Sequence, residues 1–544
     1  MLIARYRLSN RPSFHTETVA FMASVFFAVA CNGSFWAALT HDHMSSSFRM
    51  WFVVACTGIV LTGLQWFLLL LVVNRYTAKP ILTVLLLCTA AAVYFMAHFG
   101  IYFNPSMLHN LLETDVREAS ELLSWKMLPY LLFLGVLPVM LLWRVKIRDS
   151  SWKPAALRRG ACLVVAAAMA AGGAWPVLGE LIPAMRQNKE VRYLITPSNY
   201  IVSLVSVMVA PQNDTEVTRR VIGADASRSQ AERTGKPRAL VLVVGETVRA
   251  ANWGLNGYVR QTTPELAQRQ VINFNDVTSC GTDTATSLPC MFSLYGRRHY
   301  DRSRIAHSES LLHVLHHAGV SVLWRDNQVG CKGVCDGLKR EDLSNEKKPG
   351  LCGAERCFDA ILLEDLKDRI DAQPSDFIVV LHMLGNHGPA YYQRYPAQYR
   401  RWTPTCDTTE LSSCARADIV NAYDNAILYS DHVLARAIDL LSDVTSHDTA
   451  LLYLSDHGES LGEGNLYLHG MPYAIAPDDQ THVPMIMWYS PAFSASAGLD
   501  LSCLAARAAK PASHDHLFNT VLGLFDVSTS VYERDWDLTA ACRH

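Results

Sequence analysis

Leu451-Leu452-Tyr453-Leu454 runs directly into Ser455-Asp456-His457-Gly458-Glu459-Ser460, so an apolar strand delivers an acid and an imidazole into a turn. A second run, Ala239-Leu240-Val241-Leu242-Val243-Val244-Gly245, ends in the same way at Glu246-Thr247. Adjacent Asp and His also occur in ordinary surface turns. Two such strands change the reading, because in open α/β sheets functional side chains gather at the carboxyl ends of the strands. Glu246, Asp456 and His457 are therefore expected at one crevice, as hard ligands for a metal.

Around these two strands, apolar runs alternate with helical patterns. Strands are expected at Ala239 to Val244, Val271 to Asn275, Val320 to Trp324, Phe377 to Leu381, Ala450 to Leu454 and Val483 to Trp488. Helices are expected at Ser308 to Ala318, Asp359 to Ile370 and Ala417 to Leu441. Such alternation implies crossover connections and an α/β domain with a mostly parallel sheet, over 238–544.

Upstream of residue 185 the composition is different. Five apolar stretches, near Thr18 to Thr40, Met50 to Val73, Ile81 to Ala97, Met127 to Trp143 and Ala161 to Leu178, approach the length that crosses a hydrocarbon core. Residues 1–183 are thus expected to form a five-helix α-helical membrane domain. Arg5, Arg7 and Arg11 precede the first stretch, Arg75 and Lys79 follow the second, and Arg144, Lys146, Arg148, Lys153, Arg158 and Arg159 fill the loop after the fourth. The alternate loops are poor in such residues, so the N-terminus is expected in the cytoplasm and the remainder outside it. No small-residue cleavage site clearly follows the first stretch, so it is expected to be retained. Residues 184–237 form the bridge. There Lys189 to Leu194 and Ile201 to Val205 read equally as amphipathic helices on the membrane surface or as plain linker helices, and Asp214 to Lys236 reads as a flexible joint.

Cysteine usage bears on the compartment. Cys31, Cys56, Cys88 and Cys162 lie in the apolar stretches, and the other ten of the 14 lie beyond residue 279. Close sequence pairs read as disulfides in an oxidising compartment: Cys280 with Cys290, Cys331 with Cys335, Cys352 with Cys357, and Cys406 with Cys414, which leaves Cys503 and Cys542 as a fifth pair by remainder. Their irregular spacing disfavours a zinc-binding cysteine cluster. A formal net charge of −2 argues against a nucleic-acid protein.

The nucleophile is sought in Thr278-Ser279-Cys280-Gly281-Thr282-Asp283-Thr284-Ala285-Thr286-Ser287-Leu288-Pro289-Cys290, a hydroxyl-rich turn that follows a strand and opens a helix. A hydroxyl at a helix N-terminus meets a field that favours phosphate. The same turn also reads as a helix cap without chemistry.

Taken in order, Val244-Gly245-Glu246-Thr247, Ser279-Cys280-Gly281-Thr282-Asp283-Thr284-Ala285, Gly385-Asn386-His387-Gly388-Pro389, Ser455 to Ser460 and Tyr467-Leu468-His469-Gly470 resemble the phosphoethanolamine transferases of the bacterial inner membrane. The resemblance runs along nearly the whole chain and is strongest to the lipid A type, which confers polymyxin resistance. It implies an alkaline phosphatase/sulfatase-like fold for the second domain. It also implies zinc ligands at Glu246, Thr284, Asp456 and His457, with Thr284 as nucleophile, one tightly held Zn2+ and room for a second. Lys332, His387 and His469 would line the phosphate site or a second metal, and Asn110, Thr114 and Glu118 would meet the ethanolamine head group, although their spacing of four also suits a solvated helical face. The implied partners are phosphatidylethanolamine as donor, lipid A or lipopolysaccharide as acceptor and the inner membrane, with the chain acting as a monomer.

Asp283 departs from the family pattern, since it adds negative charge beside a phosphate site. A sulfatase would need a Cys-x-Pro-x-Arg-like string, and none surrounds Thr284. A soluble phosphatase would not need the apolar stretches, and a phosphoglycerol transferase lacks this density of cysteine pairs. Kdo or heptose of the lipopolysaccharide core is the alternative acceptor, and a non-enzymatic zinc scaffold is the reading from outside enzymology.

Overall fold

A computed structural model describes residues 11–40, 48–113, 122–179, 189–209, 219–228, 235–353 and 356–544. The chain forms two compact units, one ending at Gln212 and the other carried by Asn213–His544. Thr114, Glu118, Arg5, Arg7 and parts of the expected joint (214–218, 229–234) lie outside the described residues.

The first unit contains α1 (Thr16–Ala30), α2 (Gly33–Thr40), α3 (Phe48–Val72), α4 (Ala78–Phe99), α5 (Pro105–Glu113), α6 (Met127–Arg144), α7 (Trp152–Val177) and α8 (Ser198–Val209). Among the described residues four helices, α3, α4, α6 and α7, are each long and apolar enough to cross a membrane; α1 and α2 together would make a fifth, bent by 50°. The break has a local cause. The buried Asn32 amide donates to the Phe27 carbonyl at 2.8 Å and to the Thr196 carbonyl at 3.0 Å, so its own side chain competes with helix continuation. Small residues let α3 and α7 approach closely: a Cβ on Gly63 would fall 2.9 Å from the Ala166 carbonyl oxygen. Lys189–Leu194 forms a 3-10 turn, and the expected Ile201 to Val205 segment lies inside α8.

The second unit is built on a seven-stranded sheet. Its strands are β1 (Arg238–Gly245), β2 (Ile272–Phe274), β3 (Ser321–Asp326), β4 (Arg340–Asp342), β5 (Phe377–His382), β6 (Asp448–Ser455) and β7 (Met485–Tyr489), in the spatial order β2-β7-β6-β1-β5-β3-β4. The five strands from β6 to β4 are parallel, and β7 is antiparallel to both of its neighbours, β6 and β2. β1 and β6 are buried at every position, because helices and loops cover both faces of a parallel sheet, which is why they read as unbroken apolar runs. Two further helices position the site, α9 (Thr284–Met291) and α10 (Arg416–Ser442). α10 buries Ile419, Ala422, Tyr423 and Ala426, a helical repeat facing the sheet.

Two expectations differ from the structure. The helix expected over Asp359 to Ile370 is a 3-10 turn, Asp359–Leu363, and a short helix, Leu366–Asp371, parted at Asp365, whose φ is +51°. β4 was not expected: Arg340, Glu341 and Asp342 carry no apolar signal, and an edge strand of this kind tolerates charge.

The five disulfides are Cys280–Cys290, Cys331–Cys335, Cys352–Cys357, Cys406–Cys414 and Cys503–Cys542. Cys31, Cys56, Cys88 and Cys162 are free thiols.

Candidate metal centre

Register brings the site together. In the parallel β1–β6 pair Leu454 stands opposite Val244 and Ser455 opposite Gly245, so both strands end at the same level. The next residues, Glu246 and Asp456, leave side by side, and Asp456 N–H donates to the Gly245 carbonyl at 2.9 Å. Glu246, Asp456 and His457 are fully buried, and one ligand atom from each lies within 4.8 Å of the others. His457 Nε2 stands 3.5 Å from Glu246 Oε1 and 3.3 Å from Asp456 Oδ2.

The loop after β1 is held in an uncommon conformation. Thr247 is a buried non-glycine residue with φ +54°, a region tolerated where surroundings enforce it and found often at functional sites. Here Thr247 N–H donates to Asp456 Oδ1 at 3.2 Å, Val248 N–H to Ser455 Oγ at 2.8 Å, and Tyr423 of α10 donates its hydroxyl to the Thr247 carbonyl.

Thr284 is the first residue of α9. Its Oγ1 lies 3.1 Å from Glu246 Oε2 and 3.3 Å from His457 Nε2. Asp283 is the N-cap: its Oδ1 accepts from Thr286 N–H at 2.9 Å, which satisfies a backbone donor at the helix start. The unexpected acid thus has a structural task, and its carboxylate is turned toward the backbone of α9.

These residues fit a divalent cation. Two carboxylates, an imidazole and a hydroxyl are the N and O donors that zinc takes. The Gly458 carbonyl can only accept, so His457 Nδ1, 2.9 Å away, carries the proton and Nε2 presents its lone pair to the carboxylates. Burial, followed by the neighbouring His469, holds the His457 imidazole down to about 3, so it is neutral and free to ligate. Burial also raises Asp456 from its ordinary value, and among the described residues its Oδ2 accepts no hydrogen bond. A buried carboxylate oxygen of this kind calls for a cation.

A second group of side chains adjoins the first. The His469 ring centroid lies 4.4 Å from that of His457 and 5.8 Å from that of His387. His469 Nδ1 is 2.8 Å from Glu459 Oε2, and the other Glu459 oxygen accepts from the Tyr391 hydroxyl. Lys332 lies in the loop closed by Cys331–Cys335, at φ +47°, and borders a recess shared with Pro289 and Ser310. Asn110 belongs to α5 of the first unit.

Sequence reading missed two contributors. Gln328 donates through Nε2 to Glu246 Oε2 at 3.1 Å, but a lone amide in a loop carries no pattern. His514 accepts from Cys280 N–H at 3.1 Å and donates through Nε2 to the Ser455 carbonyl at 2.9 Å, so it ties the turn before α9 to the end of β6. Its position far along the chain gave no signal.

A family model described as Sulfatase matches residues 238–527, and one described as phosphoethanolamine transferase EptA/EptB matches residues 61–211. The chain is 37% identical over 541 residues, 99% of each chain, to phosphoethanolamine transferase EptA of Escherichia coli strain K12. It is 34% identical, over 96% of each chain, to phosphatidylethanolamine transferase Mcr-1 of Escherichia coli. Its structure resembles the integral membrane protein lipooligosaccharide phosphoethanolamine transferase A (EptA) from Neisseria meningitidis, with a TM-score of 0.93 and 38% identity, covering 98% of this chain and 100% of that one.

Proposed function

The chain belongs to the EptA/EptB phosphoethanolamine transferase family, and we propose that it moves phosphoethanolamine from phosphatidylethanolamine to a phosphate of lipid A through an adduct on Thr284. The observation that carries this reading is the seat of the Thr284 hydroxyl, at the start of α9 and within 3.3 Å of both Glu246 and His457. A threonine hydroxyl is a weak nucleophile at neutral pH and needs activation. Zinc held by Glu246, Thr284, Asp456 and His457 would supply that acidity and offset charge on the phosphoryl oxygens.

The chain's own residues then run two in-line displacements. In the first, Thr284 Oγ1 forms a bond to phosphorus, the bond from phosphorus to the diacylglycerol oxygen breaks, and diacylglycerol leaves with a proton. His469, held through Nδ1 by Glu459, is the group that would hand over this proton. In the second, an oxygen of the acceptor phosphate attacks the same phosphorus and Thr284 regains its hydroxyl. The N-terminal field of α9 favours the phosphoryl group throughout, and Gln328 and the Thr247 backbone keep Glu246 and Asp456 in place.

In this reading the first unit crosses the inner membrane five times with its N-terminus in the cytoplasm, α1 and α2 forming one broken span, and Asn213–His544 lies in the periplasm. The basic loops and the disulfides support that arrangement. Lipid A that gains an ammonium loses net negative charge and binds cationic polymyxins less well.

The direct test is the intact mass of the full chain after incubation with phosphatidylethanolamine. One phosphoethanolamine should be gained by the wild type and none by Thr284→Ala. An adduct that survives the substitution would remove Thr284 from the mechanism.

A further inference from the structure

The turn after α9 carries Arg297, and its surroundings are unusual for a guanidinium beside acidic residues. Its centre lies 3.6 Å from the Tyr473 ring centroid and 4.9 Å from that of Tyr300. Its polar contact is a 3.5 Å reach from Nη1 to the Cys280 carbonyl. Among the described residues no carboxylate pairs with it. Asp515 spends one oxygen on Arg297 N–H and the other on Arg298 N–H, and Asp283 is engaged in capping α9.

The two rings are themselves anchored to the nucleophile turn. Tyr473 donates its hydroxyl to the Ser279 carbonyl at 2.9 Å, and Tyr300 is hydrogen-bonded to Thr286, two residues after Thr284. Arg302 adds a further positive charge near Tyr300. Stacking fixes the plane of the guanidinium, and its N–H edges remain available for an oxyanion, which they match bidentately. A cation prepared in this way, on the turn that follows α9 and tied to the nucleophile turn through the Cys280 carbonyl and Tyr473, suits an acceptor with more than one anionic group.

We infer that Arg297, steadied by Tyr473 and Tyr300, binds a second oxyanion of the acceptor while the reacting phosphate meets the Thr284 adduct. This rests on the transfer reaction proposed above. The ligand class is a sugar-borne phosphate, with a sugar carboxylate as the related source. Arg297 is a binding residue for the second half of the reaction and takes no part in loading Thr284.

The test uses the full chain in detergent micelles with phosphatidylethanolamine and compares wild type with Arg297→Gln and Arg297→Lys. Loading of Thr284, read from intact mass, should match wild type in both variants. The KM for bisphosphorylated lipid A should rise about tenfold in Arg297→Gln, the scale of one lost charge-assisted hydrogen bond, and less in Arg297→Lys. With monophosphorylated lipid A, wild type and variants should converge. If adding Kdo to the monophosphorylated acceptor restores the difference, the site also takes carboxylates; if not, it takes phosphate alone. Equal loss on both acceptors, no loss on either, or impaired loading would overturn the inference. A wild type that never loads Thr284 would instead refute the transfer reaction itself.

Discussion

Replacing Gly385 by alanine tests how firmly Glu246 is seated. Gly385 has φ +54°, a left-handed conformation that costs an alanine about 1–2 kcal/mol. An added Cβ would stand 2.7 Å from the Glu246 carbonyl oxygen and 2.9 Å from both its Cβ and its N. Those atoms cannot rotate away, because Asn386 N–H donates to the Glu246 carbonyl at 3.0 Å, Met383 N–H to the Val244 carbonyl at 3.0 Å and Gly385 N–H to Asp359 Oδ2 at 2.8 Å. Overpacking against a fixed neighbour costs about 1–3 kcal/mol, so the two contributions together reach about 2–5 kcal/mol. Gly257 supplies the control: it has φ +85° and nothing within 4 Å of the added Cβ, so Gly257→Ala carries only the conformational part. Thermal unfolding of the full chain in detergent, read beside loading of Thr284, measures both effects. Gly385→Ala should be the less stable variant and should lose transfer, whereas Gly257→Ala should keep it. Equal stability of the two variants, with full transfer in both, would refute the reasoning.

Asp283→Ala should lower stability by about 1 kcal/mol through loss of the α9 cap, while Asp283→Asn, which can still accept from Thr286 N–H, should stay close to wild type in the same melts. Burial holds His514 down to about 4 from its ordinary 6.5, so the unfolded chain binds this proton more readily than the folded one. The metal-free protein should therefore hold this contribution above pH 6.5 and lose it as pH falls toward 4, with a slope of up to about 1.4 kcal/mol per pH unit that His514→Asn removes from the denaturation midpoint. Chelation should abolish transfer and added Zn2+ should restore it in the wild type, with His457→Ala unresponsive; full transfer in a strong chelator would exclude the metal.

The central strands were legible because a sheet covered on both faces demands continuous apolar runs, and Leu240 to Val244 and Leu451 to Leu454 are such runs. Their shared register, which sets Glu246 beside Asp456, is not a property of either run alone, and it came into view only with the pairing of Ser455 against Gly245. Asn32 hid the break between α1 and α2, since one polar residue in an apolar stretch does not announce that its amide will take a carbonyl 164 positions away. Asp283 looked out of place as a charge and makes sense as a cap, a role that depends on a backbone N–H three residues ahead. Gln328 and His514 stayed hidden for the same reason: each acts through hydrogen bonds to partners distant in sequence, Glu246 for one, Cys280 N–H and the end of β6 for the other.

The most direct measurement is mass spectrometry of lipid A from cells expressing the wild type or Thr284→Ala at matched levels. The account predicts lipid A carrying an added phosphoethanolamine with the wild type and unmodified lipid A with Thr284→Ala. Modification that persists in the variant would contradict the covalent route, and unmodified lipid A with a folded, zinc-loaded wild type would contradict lipid A as the acceptor.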